Sequence, residues 1–136
     1  MEGTTLSRVL TIVKKIRTSV TKILLQLQSD YYAVAIIGAD DDKVQAWIIK
    51  ELELAEDRAG STVDWTIDED YEVAIESLKH LKDSLEYVSD VSGGPAFMIA
   101  INRVVQHIDV ALAGMEDLLK AKNSKEKEQE EEEEYE

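Results

Sequence analysis

Cysteine is absent from this 136-residue sequence, which excludes disulfides, thiolate metal sites and cysteine nucleophiles together. One proline and six glycines are few helix breakers, as expected of a mostly helical chain. There are only two histidines. No glycine-rich phosphate loop follows a strand-like run, and no serine sits in a nucleophile elbow. No apolar run approaches the ~20 residues of a membrane-spanning helix. MEGTTLSR lacks a basic start, and Lys14, Lys15 and Arg17 interrupt any apolar core behind it. No signal peptide is therefore expected, and the expected location is cytoplasmic.

What is abundant is acid. Asp and Glu number 29 against 15 Lys and Arg, for a net charge of −14. The imbalance is uneven: residues 1–38 carry five basic and two acidic groups, net +3, while residues 39–92 are net −11 and residues 93–136 net −6. Such a surface repels nucleic acid over most of its area and favours solubility. The length suits one domain, able to bury roughly 68% of the surface its unfolded chain exposes.

The basic material lies on one element. Val9, Val13, Ile16, Val20, Ile23 and Leu27 recur every three or four residues, a seam that needs a helical partner. Off that seam stand Arg8, Lys14, Lys15, Arg17 and Lys22. Thr4 or Thr5 can cap this helix. At Ser29-Asp30 the pattern is interrupted, and Tyr31, Tyr32, Ala33, Val34, Ala35, Ile36 and Ile37 follow, apolar all round. They continue the helix, straight or kinked, to a cap at Gly38, or form a short buried strand. The alanines and the helical surroundings favour the helix, so helix 1 is expected over about 5–37.

Asp40, Asp41 and Asp42 then suit the positive end of a helix dipole. A calcium loop would need more alternating oxygen ligands, a glycine turn and a late glutamate. Helix 2, expected over 41–59, buries Val44, Ile48, Leu52, Ala55 and Ala59 with Trp47 alongside, and stops at Gly60. GSTVDW reads as a loop, and Thr66 with Glu69 as a capping box. Helix 3, over 67–89, has the cleanest heptads: Ile67, Tyr71, Ala74, Leu78, Leu81, Leu85 and Val88. Gly93, Gly94 and Pro95 separate it from helix 4, expected over 95–121. That helix carries one stripe of Met98, Ile101, Val105, Ile108, Leu112, Met115 and Leu119, and a second of Phe97, Val104, Ala111 and Leu118. Residues 122–136 form an acidic, low-complexity tail expected to be disordered or frayed. The expected fold is all-α, an up-down-up-down four-helix bundle over residues 1–121 with left-handed, near-parallel packing.

Few residues suggest chemistry. Glu72, Glu76 and His80 stand one turn apart, a spacing that could hold a metal, but on the outer face, where a solvated and partly self-paired stripe is the simpler account. His107 and Asp109 point different ways. Arg103 and His107 are closer in sequence than the Arg…His pair of the HEPN ribonucleases. Glu51, Glu53, Glu56 and Asp57, with Glu72 and Glu76, are the material a metal-dependent nucleotide hydrolase would use. In the all-helical nucleotide pyrophosphohydrolases, however, such acids converge in a pocket and follow a different order. No catalytic residue, metal ligand or cofactor site is therefore assigned.

Two surfaces invite contact. Arg8, Lys15 and Lys22 are seven apart and form one exposed line, flanked by Lys14 and Arg17. It suits nucleic-acid phosphates, an anionic membrane surface or an acidic protein, or it balances the acidic flanks of helices 2 and 3. Tyr31, Tyr32, Val34, Ile37 and Trp47 are candidates for self-association, within an aromatic group that also includes Trp65 and Tyr71. The acidic tail could compete for the basic line. The expected function is a non-enzymatic helical-bundle interaction protein that binds itself as a homo-oligomer or binds a protein partner. An accessory subunit contacting nucleic acid or a nucleoprotein is the second reading, and a metal-dependent nucleotide hydrolase the third.

Overall fold

All six residues of the first seam, Val9, Val13, Ile16, Val20, Ile23 and Leu27, are buried. They lie on helix α1, Glu2–Gln28. The computed structural model describes residues 2–28, 42–92 and 94–134. Among them are three more helices, α2 (Asp42–Ile67), α3 (Tyr71–Ser92) and α4 (Pro95–Glu134), and no strand. The fold is all-α. The expectation that Tyr31–Ile37 prolongs helix 1 lies outside the described residues.

Helix 2 does not stop at Gly60. It continues through the expected GSTVDW loop to Ile67. Glycine inside a helix costs about 1 kcal/mol relative to alanine, but the buried stripe runs on through Ala59, Thr62, Val63 and Thr66. Burial of an aliphatic side chain such as Val63 contributes roughly 1.5–3 kcal/mol, so continuation wins. The hydroxyls of Thr62 and Thr66 turn back to the carbonyls of Arg58 and Thr62, both at 2.7 Å.

Thr66 is therefore helix interior, and the expected capping box with Glu69 does not form. Instead the Asp70 N–H donates to the Trp65 carbonyl at 2.8 Å and the Glu69 N–H to the Thr66 carbonyl at 3.1 Å. Glu69 takes the left-handed position between them, with φ of 61°, in the arrangement that commonly closes a helix C-terminus. Helix α3 starts four residues later than expected. Its first turn is set by Asp70, whose carbonyl accepts the Ala74 N–H at 3.0 Å. Ile67, placed at the head of the helix 3 seam by spacing, is instead 54% exposed at the end of α2.

From Tyr71 onward the helix 3 seam is as read: Tyr71, Ala74, Leu78, Leu81, Leu85 and Val88 are buried. Pro95 opens α4 as expected, with the Met98 N–H donating to Gly94 at 2.9 Å. The stretch after Lys120, expected to be disordered or frayed, continues as helix to Glu134. Lys, Glu and Gln are good helix formers, and Lys122 is fixed where the extension begins: its Nζ donates to the Glu69 carbonyl at 2.9 Å.

Each helix packs against two others: α1 against α2 and α4, and α3 against α2 and α4. The broad apolar face of α4 is thus covered from two sides. Along every packed pair the residue numbers run in opposite senses. Arg17 meets Gly60 and Thr21 meets Glu56; Trp47 meets Tyr87 and Thr62 meets Ser77. Tyr71 meets Lys122 and Lys82 meets Asp109. Gly114 meets Val9, and Leu118 lines a cleft with Leu6.

By length and composition, one stretch within Pro95–Lys127 is apolar enough to cross a membrane, contrary to the expectation from the absence of a long apolar run. Phe97, Ile101, Val104, Val105, Ile108, Ala111 and Met115, all buried in the core, supply much of that apolarity.

Candidate interaction surface

The α1 seam faces inward, so the basic residues are carried outward. Arg8, Lys14, Lys15, Arg17 and Lys22 are all exposed. At 100° per residue, Arg8, Lys15 and Lys22 lie within a narrow strip. Lys14 and Arg17 lie on the flank nearer α2, where the Arg17 guanidinium carbon stands 3.2 Å from where a Cβ on Gly60 would be. Lys82 pairs with Asp109 at 2.8 Å, and among the described residues no carboxylate pairs with any of the five α1 cations. Glu56 on α2 accepts a hydrogen bond from Thr21. Charge balance by direct pairing with α2 or α3 is thus not how this face is arranged. Its cationic side chains are exposed.

A second surface lies at the end of the fold where α2 begins and α3 ends. Trp47 is half-buried, and its ring meets Tyr87 edge-to-face, with centroids 5.4 Å apart and planes at 89°. Such pairs contribute about 0.5–1.5 kcal/mol beyond area burial. Tyr87 is 61% and Val91 38% exposed, and with Lys43, Val44 and Trp47 they line a shallow depression of about 260 Å³. Of the residues expected to self-associate, Trp47 belongs here, while Tyr31, Tyr32, Val34 and Ile37 lie outside the described residues. Tyr87 and Val91 were not singled out from the sequence. The available signal was that both fall off the α3 seam, where large apolar side chains have no core to enter.

At the opposite end, Leu6, Glu69, Tyr71, Leu118, Ala121, Lys122 and Lys125 line a cleft of about 330 Å³. The Lys122 ammonium stands 5.9 Å from the centre of the Tyr71 ring and also holds the Glu69 carbonyl. The Tyr71 hydroxyl donates to Glu69 Oε1 at 3.4 Å. This cluster ties the α2–α3 turn to α4, which makes it a structural clamp.

The acidic candidates are spread out. Glu72, Glu76 and His80 are exposed along α3, and Glu72 and Glu76 border a shallow depression with Lys79 and Glu116. Glu53 and Asp57 are exposed on α2 and Glu51 is half-buried. Among the described residues no three His, Asp or Glu side chains converge as a metal site would require. His107 is half-buried on α4, while Asp109, two residues on, pairs with Lys82 on α3. Asp109 holds the Lys82 ammonium above its ordinary pKa, by hydrogen bonding first and by charge second.

Among the described residues the interior carries hydroxyls and no charge: Thr62, Thr66, Ser77, Ser89 and Ser92 are buried. None of the buried side-chain oxygens or nitrogens among the described residues is left without a hydrogen-bond partner. No protein-family model, no curated protein and no solved structure matches this chain.

Proposed function

We propose that this chain is a non-enzymatic interaction protein built as an up-down-up-down four-helix bundle, and that the basic face of α1 is its working surface. The opposed numbering along all four packed pairs supports that topology. The 3.5-residue period of the α1 and α3 seams supports left-handed, near-parallel packing. Self-association is the favoured use of the surface, with cytoplasmic location the setting that the cysteine-free composition suits.

One observation carries the reading. Five cations on one helix are exposed and unpaired by carboxylates among the described residues, in a chain whose net charge is −14. A uniformly acidic surface would keep copies apart; a positive face on an acidic protein gives one copy a place to receive another, or an acidic partner. Light scattering over a concentration series tests this. Mass that rises with concentration, and falls when Lys15→Glu and Lys22→Glu are combined, is the expected outcome. A strict monomer at high concentration in low salt would remove the self-association.

The second reading, an accessory subunit contacting nucleic acid, draws on the straight line of Arg8, Lys15 and Lys22. A labelled RNA or DNA bound with steep salt dependence, and released by the same double substitution, would place it first.

A further inference from the structure

The basic line of α1 has an acidic counterpart on another helix. Glu76, Asp83 and Asp90 on α3 are seven residues apart and exposed, and at 100° per residue they fall within about 40° of one another. Glu72 and Glu86 flank them and are exposed as well. All five stand on the side of α3 away from its buried seam of Leu78, Leu81 and Leu85. Of the two lysines on this helix, Lys79 shares the acidic face, while Lys82 lies toward α4, where Asp109 holds it at 2.8 Å. Among the described residues none of the five carboxylates is in an ion pair.

The two lines match in repeat and are opposed in placement. Arg8, Lys15 and Lys22 also recur every seven residues, so each line repeats at roughly 10.5 Å and spans roughly 21 Å. Helices α1 and α3 both run against α4, as Val9 with Gly114 and Leu6 with Leu118, and Tyr71 with Lys122 and Lys82 with Asp109, show. They are therefore parallel to each other, and they start from one end, where Leu6 and Tyr71 line the same cleft. From that level Arg8 is two residues on and Glu76 five, an offset of roughly 4.5 Å, within the reach of a lysine or arginine side chain. Because α1 and α3 each pack against α2 and α4, they occupy a diagonal of the fold, and their outer faces point away from each other. One molecule cannot bring these two faces together.

The other helices offer α1 no such complement. The exposed side of α2 mixes Lys50 and Arg58 with Glu53 and Asp57, and α4 as far as Lys120 mixes Arg103 and Lys120 with Glu116 and Asp117. A two-fold pairing of α1 with α1, or of α3 with α3, would set like charges against each other.

We infer that the basic face of α1 receives the acidic face of α3 from a second copy of this chain, displaced sideways with its helices kept parallel. The inference rests on the reading of α1 as a docking surface and names its occupant. The contact is heterologous: each copy presents one face and receives on the opposite one, so a pair leaves one face of each kind open and a third copy adds on. The assembly is a row that lengthens with concentration, not a closed dimer. Exposed ion pairs are individually weak and screened by salt, so rows form in dilute salt and come apart in concentrated salt.

The test uses sedimentation and light scattering of four samples. They are the full chain, the full chain with Lys15→Glu and Lys22→Glu, the full chain with Glu76→Gln, Asp83→Asn and Glu86→Gln, and an equimolar mixture of the two variants. In about 20 mM salt the average mass of the full chain rises past twice the 15.3 kDa of one copy and keeps rising with concentration. Its association constant falls tenfold or more by about 500 mM salt. Each variant alone stays monomeric. The mixture stops at a one-to-one dimer, since one variant keeps an acidic α3 and the other a basic α1. Circular dichroism shows both variants folded, every changed residue being on the outside, and the dimer in the mixture shows that each keeps its unaltered face.

If the α3 variant assembles like the parent while the α1 variant does not, α1 is a docking surface and α3 is not its occupant. If both variants assemble like the parent, the reading of α1 fails as well. A full chain that halts at a dimer overturns the row, and one that stays monomeric in low salt overturns both the row and the self-association.

Discussion

The hydroxyls of Thr62 on α2 and Ser77 on α3 meet 2.9 Å apart inside the core. Thr62 has one proton, and the Arg58 carbonyl at 2.7 Å takes it, so Ser77 is the donor between the two. This polar link sits among aliphatic side chains and constrains how α2 and α3 align, because sliding either helix by a turn would leave the Ser77 hydroxyl without its acceptor.

Substitutions at this pair are therefore unequal. Ser77→Ala leaves Thr62 bonded to Arg58 and costs about 0.5–1.5 kcal/mol. Thr62→Val leaves the Ser77 hydroxyl buried without its acceptor and costs about 1–3 kcal/mol. The double variant is more stable than Thr62→Val alone, since no orphan remains. Urea unfolding of the three variants checks this order; additive losses would contradict it.

Two glycines inside helices respond oppositely to alanine. A Cβ on Gly114 would lie 2.6 Å from Val9 Cγ2, in the α1–α4 contact. Gly114→Ala overpacks that contact and destabilises by about 1–3 kcal/mol. At Gly60 the obstacle is the end of the flexible, exposed Arg17 side chain, at 3.2 Å. Gly60→Ala there gains helix propensity, about 0.5–1 kcal/mol. Thermal melts of the two variants should move in opposite directions.

Glu69 holds a left-handed backbone that a side chain disfavours by roughly 1–2 kcal/mol. Glu69→Gly keeps the carbonyl that Lys122 grips and relieves the strain, against the loss of a long 3.4 Å bond from Tyr71. A rise in melting temperature is expected; a fall would mean that the Glu69 carboxylate matters more than its backbone.

The Lys82–Asp109 pair makes a pH prediction. Because Asp109 raises the Lys82 pKa above 10.5, the pair's stabilisation is complete below that ordinary value. It is lost as pH rises through the raised one. Lys82 is partly and Asp109 largely exposed, so the effect on stability is small. The site-specific titration is the better readout: by NMR, Lys82 titrates above its ordinary value, and Asp109→Asn lowers it.

How much of this was legible in the sequence depended on whether burial followed a period. The α1 and α3 seams and the opening of α4 at Pro95 could be read because apolar residues recur at helical spacing there. The end of α2 could not, because Gly60 and the Ser-Thr run look like a loop. Only the helices facing α2 reveal that Thr62 and Thr66 are buried. The capping box failed for the same reason, Thr66 being committed to the helix before it. The basic face was visible as a list of residues, but that no carboxylate among the described residues pairs with it is a matter of three-dimensional placement. The reach of α4 beyond α1 was hidden by composition, since a glutamate-rich run reads as structureless.

The contact of Val9 with Gly114 joins the first helix to the last across about a hundred residues of chain, a separation that slows closure of the final contacts. During synthesis, α1 emerges before α4 and lacks one of its two packing partners until α4 has left the ribosome. Its apolar seam stays partly uncovered until then, so the core is completed only once α4 has been made.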